Sequence, residues 1–338
     1  MSHLLPKFRW LLTLGFTLII AEGSIPADSV LAQQAETNVK PRDIRTVVAN
    51  GKHNAFTALV KWKDAFWLSF REATDHGSGD GDLILLKSSD AETWMEAKRL
   101  NIVPDDRDPQ LLIADDRLIW FDPGLEGKQL TTFATWTDDG ETWSEPIPVY
   151  EPQFILWKPL AVESGYYATA HYKADVSGGV GRKVHLIKSA DGLKWEKVST
   201  IRERKWESET TLYFPEPDRA VAFLRQKYGS PPGSILESQA PFTEWTERDA
   251  GVHLSGHSVH TIDGVTYLLS RLRKPDDSGT MIYVYVDDKL EPYCEIPSGG
   301  DCSYPEVARI GEEMLISYYS SHEGTTNVYT CRVPLKGK

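Results

Sequence analysis

The chain has 338 residues, and 37 Lys and Arg against 49 Asp and Glu give a formal net charge of −12 at pH 7. That length suits one large all-β domain or two smaller domains. The acidic balance argues against the basic face with which proteins usually bind nucleic acid, so no nucleic-acid partner is expected. The 11 Trp and 14 Tyr residues suit both strand packing and sugar stacking, so they do not choose between these roles.

The N-terminus has the pattern of a secretory signal peptide. Lys7 and Arg9 precede an apolar run from Trp10 to Ala21, and small residues follow up to Ala32. The run is too short to span a bilayer. We therefore expect residues 1–32 to be a cleaved signal and 33–42 a flexible leader. The mature protein is then exported, periplasmic or extracellular in a bacterium, with no stable membrane span; an uncleaved anchor is the alternative.

Four turns that contain or end in Trp recur along the rest of the chain. They occupy residues 88–94, 136–143, 189–195 and 238–245, and their final Trp residues are 49, 52 and 50 positions apart. Ser, Asp and Gly stabilise such turns through local hydrogen bonds and positive φ. A fixed period of this size indicates a repeat architecture. We interpret the turns as structural, so Asp90, Asp138 and Asp191 are poor catalytic candidates.

Paired strands recur six times around these turns. Each unit opens with a strand, turns at Asp, Gly or Pro, and returns in an aromatic-rich strand, and no helix is predicted. The predicted pairs are 56–62 with 65–70, 109–114 with 118–121, 159–163 with 166–171, 210–214 with 220–225, 258–262 with 265–270, and 305–310 with 314–319.

The sixth unit has three evident strands, the third being 328–333, and residues 44–48 can supply the fourth. Such closure gives the strand a partner and leaves the ring with only short, protected sheet edges. We therefore predict an all-β fold, a single six-bladed β-propeller of four-stranded antiparallel blades over residues 43–338. A five-bladed ring is the alternative.

Two sets of strand ends should surround the mouth of the central channel. In a propeller, the starts of the innermost strands and the ends of the second strands lie on one face. The predicted starts are His53, Asp108, Trp157, Glu209, His257 and Tyr304. The predicted ends are Arg71, Glu72, Asp122, His171, Arg225, Arg271 and Tyr318. Because nearly all of these are charged or aromatic, they predict a functional site rather than ordinary turns.

The Trp turns resemble the Asp-box of sialidases, and the resemblance extends to the predicted mouth. Glu209 and Arg225 are similar to a sialidase pair on the fourth blade. Arg271, with Arg273 as the alternative, is similar to an Arg of the fifth blade, and Tyr304 to the nucleophilic Tyr of the sixth. The resemblance covers most of residues 50–333. It implies a sialidase-like glycoside hydrolase among exported bacterial proteins.

The chain departs from the sialidase pattern in two places. Residues 53–57 stand where sialidases carry Arg-Ile-Pro, so one of three carboxylate-binding arginines is missing unless Arg71 or Arg107 replaces it. The loop that would hold the catalytic acid is also ambiguous. The acid is therefore open between Asp80 and Asp108.

The resemblance implies a retaining mechanism with Tyr304 as nucleophile, Glu209 as its base, and Asp80 or Asp108 as acid. Arginine binds carboxylate or sulfate in a bidentate manner, so the expected partner is an acidic or otherwise anionic oligo- or polysaccharide. The predicted substrate-binding residues are Arg71, Glu72, Arg225, Arg271, His53, His76, Arg107, Trp157, His171 and His257.

Two other functions stay open. A polysaccharide lyase would use His and Tyr to move a proton, while Arg neutralises a uronate carboxylate. A non-catalytic carbohydrate- or protein-binding propeller would account for the missing Arg.

Neither a metal nor a cofactor is expected, because no metal-ligand spacing or nucleotide-binding motif occurs. The three cysteines are an odd number for an exported protein. Cys302 and Cys331 are a possible pair within one blade, but the sequence leaves the connectivity open.

Overall fold

The computed structural model describes residues 39–172, 182–204, 206–226 and 232–337. These residues form 25 β-strands. They all belong to one compact unit, Thr37–Lys338. The predicted signal, residues 1–32, and most of the predicted leader lie outside the described residues. Within the described ranges, no helix has the length and apolarity needed to cross a membrane.

The strands form six antiparallel sheets, the blades, which follow one another along the chain. Blade 1 contains β2 (His53–Trp62), β3 (Ala65–Ala73), β4 (Asp82–Ser88) and β5 (Met95–Leu100). Blade 2 contains β6 (Asp105–Asp106), β7 (Gln110–Ala114), β8 (Arg117–Glu126), β9 (Gln129–Thr137) and β10 (Ile147–Pro148). Blade 3 contains β11 (Phe154–Val162), β12 (Gly165–Tyr172), β13 (Arg182–Ser189) and β14 (Trp195–Arg204).

The second half of the ring repeats this pattern. Blade 4 contains β15 (Glu207–Glu216), β16 (Arg219–Gln226), β17 (Ser234–Gln239) and β18 (Thr246–Asp249). Blade 5 contains β19 (Ser258–Ile262), β20 (Val265–Arg273), β21 (Ser278–Val286) and β22 (Lys289–Ile296). Blade 6 contains β23 (Cys302–Ile310), β24 (Glu313–Ser320), β25 (Asn327–Pro334) and, as its outer strand, β1 (Arg42–Val48).

Pairing of the first and last strands closes the ring. β1 runs antiparallel to β25, with Thr46 opposite Tyr329 and Val48 opposite Val328. The closing strand is the segment that the sequence predicted. The prediction of a six-bladed propeller is therefore confirmed, and the five-bladed alternative is wrong.

Three of the Trp turns share one hydrogen-bond pattern. A carboxylate oxygen of Asp90, Asp139 or Asp191 accepts the backbone N–H groups two and three residues ahead, at 2.7–2.9 Å. The turn Asp of the second copy is thus Asp139, which corrects our choice of Asp138; the latter is exposed and pairs with Arg117 at 3.2 Å. These turns join third to fourth strands, so they lie on the face opposite the channel mouth.

Aromatic side chains fill the spaces between blades. Between blades 1 and 2, Trp62, Trp67 and Trp120 are fully or almost fully buried, with Trp143 packed against them. Burying rings of this size removes much apolar surface from water and stabilises the blade contact. All three cysteines of the chain are buried free thiols, so Cys302 and Cys331 are not bridged.

Candidate active site

A cavity of about 330 Å³ opens at the mouth of the central channel. We call it the mouth cavity. Predicted residues that line it are Tyr304, Glu209, Asp108, Arg107, His76, Trp157, His171, Arg225 and Arg271. Lining residues that the sequence did not single out are Phe56, Gly77, Ile155, Arg182 and Ser208. All six blades contribute, so ring closure brings together side chains that are far apart along the chain.

One buried carboxylate connects three of the blades. The Tyr304 hydroxyl donates to Oε1 of Glu209 at 2.9 Å, and Arg225 donates to the same oxygen at 2.5 Å. The other oxygen, Oε2, accepts the backbone N–H of Gly256 at 2.8 Å. The phenol and the carboxylate are therefore held in contact, with a guanidinium beside them.

The surroundings lower the pKa of the Glu209 carboxyl and raise that of the Tyr304 hydroxyl. Burial raises the pKa of Glu209, but the charge of Arg225 and the N–H of Gly256 outweigh burial and hold the pKa below its ordinary value. Burial and the negative charge of Glu209 raise the pKa of Tyr304 well above its ordinary value. In the free site the proton consequently stays on Tyr304.

Bulges near the starts of the inner strands direct side chains to the mouth. The register of β23 shifts between Ser303 and Glu306, and Tyr304 has φ of 51°. Phe56 has φ of 61° beside the corresponding shift in β2. A bulge adds one residue and turns a side chain in a new direction. Left-handed backbone at these non-glycine residues costs about 1–3 kcal/mol each, which the surrounding ring must offset.

Gly256 is required next to the phenol. Its φ is 52°, and a Cβ at this position would lie 2.5 Å from Cδ2 of Tyr304. Glycine alone allows both this backbone conformation and the close approach of its N–H to Glu209.

Aromatic rings flank Tyr304 on two sides. The ring centroid of Phe56 lies 4.8 Å from that of Tyr304, and the centroid of Trp157 lies 5.5 Å away. Phe56 belongs to residues 53–57, where the sialidase pattern would place an arginine. This wall of the cavity is therefore built from packed aromatic rings.

Arg271 is fixed against blade 6. Its Nε donates to the carbonyl of Cys302 at 2.7 Å, and one terminal nitrogen donates to the Tyr319 hydroxyl at 3.1 Å. The same nitrogen lies 3.6 Å from Oδ1 of Asp301. Arg273, the alternative from sequence, is exposed and does not line the cavity.

The two candidate acids lie in different places. Asp108 lines the cavity. Asp80 does not; its carboxylate accepts the N–H of Thr74 at 3.2 Å in an exposed loop, and hydrogen bonds from Ser78 and Thr74 lower its pKa to about 2. A general acid must hold a proton until it is needed. Asp80, with its lowered pKa and its position outside the lining, fits this requirement poorly, and Asp108 is the candidate acid on the cavity lining.

Arg71 and Arg107 also have different positions. Arg71 is completely buried and donates to Asp105 at 2.7 Å and to two carbonyls of the loop 74–80. It does not line the cavity, so the structure does not place it with the other predicted substrate-binding residues. Arg107 does line the cavity, where it donates to the His76 carbonyl at 2.9 Å and lies 3.3 Å from Asp105.

Other predicted residues lie outside the cavity lining. Glu72 pairs with Lys52 at 2.7 Å and with Arg99 at 3.0 Å. His257 is fully buried, with Nε2 2.8 Å from the Phe223 carbonyl. These two residues support the scaffold rather than the mouth.

Two more positions differ from the sequence prediction. Asp122 is buried and interacts with Asp106, and Tyr318 packs against Tyr329 in the core between blades 5 and 6. The neighbouring Tyr319 packs with Tyr304 instead. Successive side chains of a strand point to opposite faces, so an error of one residue selects the wrong tyrosine.

Asp301 is the main residue that sequence reasoning missed. Its Oδ1 accepts the Tyr319 hydroxyl at 3.0 Å, and its Oδ2 lies 2.9 Å from His53 Nε2 and 2.7 Å from His76 Nδ1. His53, unlike His76, does not line the cavity. In the sequence, a single Asp just before β23 gives no local indication that it makes these contacts.

Comparison with known proteins shows the fold. No protein-family model and no curated protein matches the sequence. A solved protein of unknown function from Dyadobacter fermentans is 19% identical, with a TM-score of 0.74 over 87% of this chain and 99% of that chain. The phage phi92 endosialidase is 8% identical, with a TM-score of 0.66 over 88% of this chain and 70% of that chain.

The Trypanosoma rangeli sialidase is 12% identical, with a TM-score of 0.65 over 87% of this chain and 57% of that chain. Our chain therefore spans little more than half of that enzyme, which has also been solved with sialic acid. At these identities the likeness concerns the fold alone. The chain is a six-bladed β-propeller whose structural neighbours include sialidases and an endosialidase.

Proposed function

We propose that this protein is a secreted glycoside hydrolase of the sialidase-like type that acts on an anionic glycan with retention of configuration. The observation that carries the proposal is the 2.9 Å hydrogen bond between Tyr304 and Glu209 inside the mouth cavity. A buried phenol bonded to a carboxylate can become a nucleophile, because the carboxylate accepts its proton as the new bond forms.

In the first step, the Tyr304 oxygen attacks the anomeric carbon while the bond to the leaving oxygen breaks. The phenolic proton passes to Glu209, and Asp108 gives its proton to the leaving oxygen. In the second step, Asp108 takes a proton from water, whose oxygen attacks the anomeric carbon. The bond to Tyr304 breaks, and Glu209 returns the proton to the phenol.

Arg225 can couple the negative charge of a substrate to the basicity of Glu209. While Arg225 is paired with Glu209, the carboxylate is a weak base. An anionic substrate group that draws the guanidinium toward itself would raise the basicity of Glu209. This coupling favours an acidic or sulfated glycan, and Arg107 and Arg271 on the same lining supply further positive charge.

The test is an activity screen on acidic and sulfated glycans, with mass detection of products. We expect hydrolysis by the wild type and at least about 10³-fold lower kcat for Tyr304→Phe. Tyr318→Phe is the matched control, because the buried hydroxyl of Tyr318 has no hydrogen-bond partner among the described residues. Equal activity of Tyr304→Phe and the wild type would remove the proposed nucleophile.

The same screen separates the two alternatives. An unsaturated product that absorbs ultraviolet light would identify a lyase, for which His76 and His171 line the cavity. Retention of a glycan without any product would identify a binding module.

We also propose export to the periplasm or the medium. The proposal rests on Lys7, Arg9 and the apolar run that follows them. N-terminal sequencing of the protein from the producing cell should begin near residue 33, and an intact Met1 would contradict export by cleavage.

A further inference from the structure

Two histidines and one aspartate meet at the edge of the mouth cavity. Nε2 of His53, Nδ1 of His76 and a carboxylate oxygen of Asp301 all lie within 4.8 Å of one another. We call these three residues the His–Asp cluster. They come from the start of β2, the loop 74–80 and the loop before β23, so three separate chain segments converge.

The distances suit a tetrahedral metal ion. Zinc bonds to imidazole nitrogen and carboxylate oxygen are about 2.0–2.1 Å, which puts neighbouring ligand atoms about 3.3 Å apart. In the cluster, Oδ2 of Asp301 lies 2.9 Å from His53 Nε2 and 2.7 Å from His76 Nδ1. Widening each of these two separations by roughly half an ångström would match that spacing, and the two histidine nitrogens lie within 4.8 Å of each other.

The Asp301 carboxylate is oriented for this role. Its second oxygen, Oδ1, accepts the Tyr319 hydroxyl at 3.0 Å and faces Arg271 at 3.6 Å. Outer contacts of this kind fix the orientation of a metal ligand.

The loop that carries His76 is held in place although the His76 side chain is about half exposed. Arg71 donates to the carbonyls of Asp75 at 3.0 Å and Ser78 at 2.6 Å, and Arg107 donates to the carbonyl of His76 itself at 2.9 Å. A loop braced by a fully buried arginine presents its histidine in one position. Such preorganisation is what a metal site requires.

We propose that His53 Nε2, His76 Nδ1 and Asp301 Oδ2 bind one Zn²⁺ ion. Three protein ligands leave the fourth tetrahedral position for water or a substrate oxygen, at the edge of the cavity that His76 lines. The sequence predicted no metal, because positions 53, 76 and 301 have no ligand spacing that can be recognised. The site does not depend on the proposed hydrolase activity.

Bound zinc would also act on Arg271. The ion would withdraw electron density from the Asp301 carboxylate. The attraction between Oδ1 of Asp301 and the guanidinium of Arg271 would then be weaker. Arg271 would then be more available to an anionic ligand in the mouth cavity.

The experiment measures zinc directly. Untagged protein is treated with a chelator, incubated with zinc sulfate, freed of excess by gel filtration, and analysed for metal by mass spectrometry. We expect one zinc per chain in the wild type, and an affinity at least about tenfold lower in His76→Ala and Asp301→Asn. Zinc should also raise the melting temperature of the wild type but not of His76→Ala.

His322→Ala is the matched control, because His322 is another exposed histidine, on the β24–β25 loop at the same face. It should bind zinc like the wild type. The thiols do not compete, since all three cysteines are buried. The proposal fails if the wild type retains no zinc, or if His76→Ala binds it with unchanged stoichiometry and affinity. Cobalt should report the same site through the visible absorption of a tetrahedral ion.

Discussion

The hydroxyl of Tyr304 and the carboxylate of Glu209 are joined by a 2.9 Å hydrogen bond across 95 positions of sequence. Arg225 and the backbone of Gly256 hold the same carboxylate. Glu209 therefore has a role in stability as well as its proposed role in chemistry, and the two roles can be measured separately.

Replacement of Glu209 by Gln should destabilise the protein. It leaves the largely buried Arg225 without its ionic partner, and breaking a buried pair in this way costs about 3–5 kcal/mol. Because the pKa of Glu209 is lowered in the fold, its stabilising effect is present above the unfolded pKa, near 4.3, and is lost as pH falls. Urea denaturation should thus show a large difference from wild type at pH 7 that shrinks below about pH 4.

Glu216→Gln is the control for this measurement, since Glu216 is exposed at the far end of the same strand. It should change stability by less than about 0.5 kcal/mol. A constant difference between Glu209→Gln and wild type from pH 7 to pH 3 would contradict the ionic role of Glu209.

Asp108→Asn should abolish turnover without a comparable loss of stability. Asn cannot supply the proton that the leaving oxygen needs, and loss of general acid catalysis costs about 10²–10⁴-fold in kcat. Asp80→Asn should leave kcat nearly unchanged, because Asp80 lies outside the cavity lining. The reverse pattern of activities would assign the acid to the loop 74–80.

Arg71→Lys should loosen the loop 74–80. Lysine cannot reach Asp105 and both loop carbonyls together, and a buried acceptor that loses its donor costs about 1–3 kcal/mol. Hydrogen exchange of residues 74–80 should become faster. Arg99→Lys, at a half-exposed pair in the same blade, should leave this exchange unchanged. Unaltered exchange in Arg71→Lys would show that Arg71 does not hold the loop.

Asp122→Asn should stabilise the protein at neutral pH. Burial, followed by the negative charge of Asp106, raises the pKa of Asp122 well above its ordinary value. A carboxyl with a raised pKa contributes stability below its unfolded pKa, near 3.9, and loses that contribution as pH rises. An Asn side chain at position 122 is neutral at every pH, so no buried group has to ionise there.

The expected gain from Asp122→Asn is about 1–2 kcal/mol at pH 7, the usual size of a single-residue effect, and it should fade toward pH 4. Thermal melting at several pH values measures it, with the exposed Asp116→Asn as control. A loss of stability at pH 7 would mean that Asp122 is charged in the fold.

The architecture could be predicted because its signals are local and repeated. The turn residues around Asp90 and Asp191 recur at the blade period, and each turn forms its hydrogen bonds within a few residues. The sequence predicted residues 44–48 as a strand with no adjacent partner strand in the chain. Ring closure pairs this strand with β25.

The site could be predicted only in part. Site residues at the starts of inner strands recur at the blade period, whereas the positions of the others depend on contacts between residues distant in sequence. Glu209 and Tyr304 begin equivalent strands, so their meeting follows from the ring. Arg71 and Arg107 both contact the buried Asp105, but of the two only Arg107 lines the cavity. No sequence pattern shows which of these two arginines lines the cavity, and none indicates the contacts that Asp301 makes.

The pairing of β1 with β25 has a consequence for how the molecule is made. The first strand of the described chain has no partner until the last strand exists, so a growing polypeptide can complete five blades and still lack a closed circle. Blade 6, which carries Tyr304, is then the final part to assemble. A chain truncated before blade 6 would contain most of the sheets but would lack Tyr304, the proposed nucleophile.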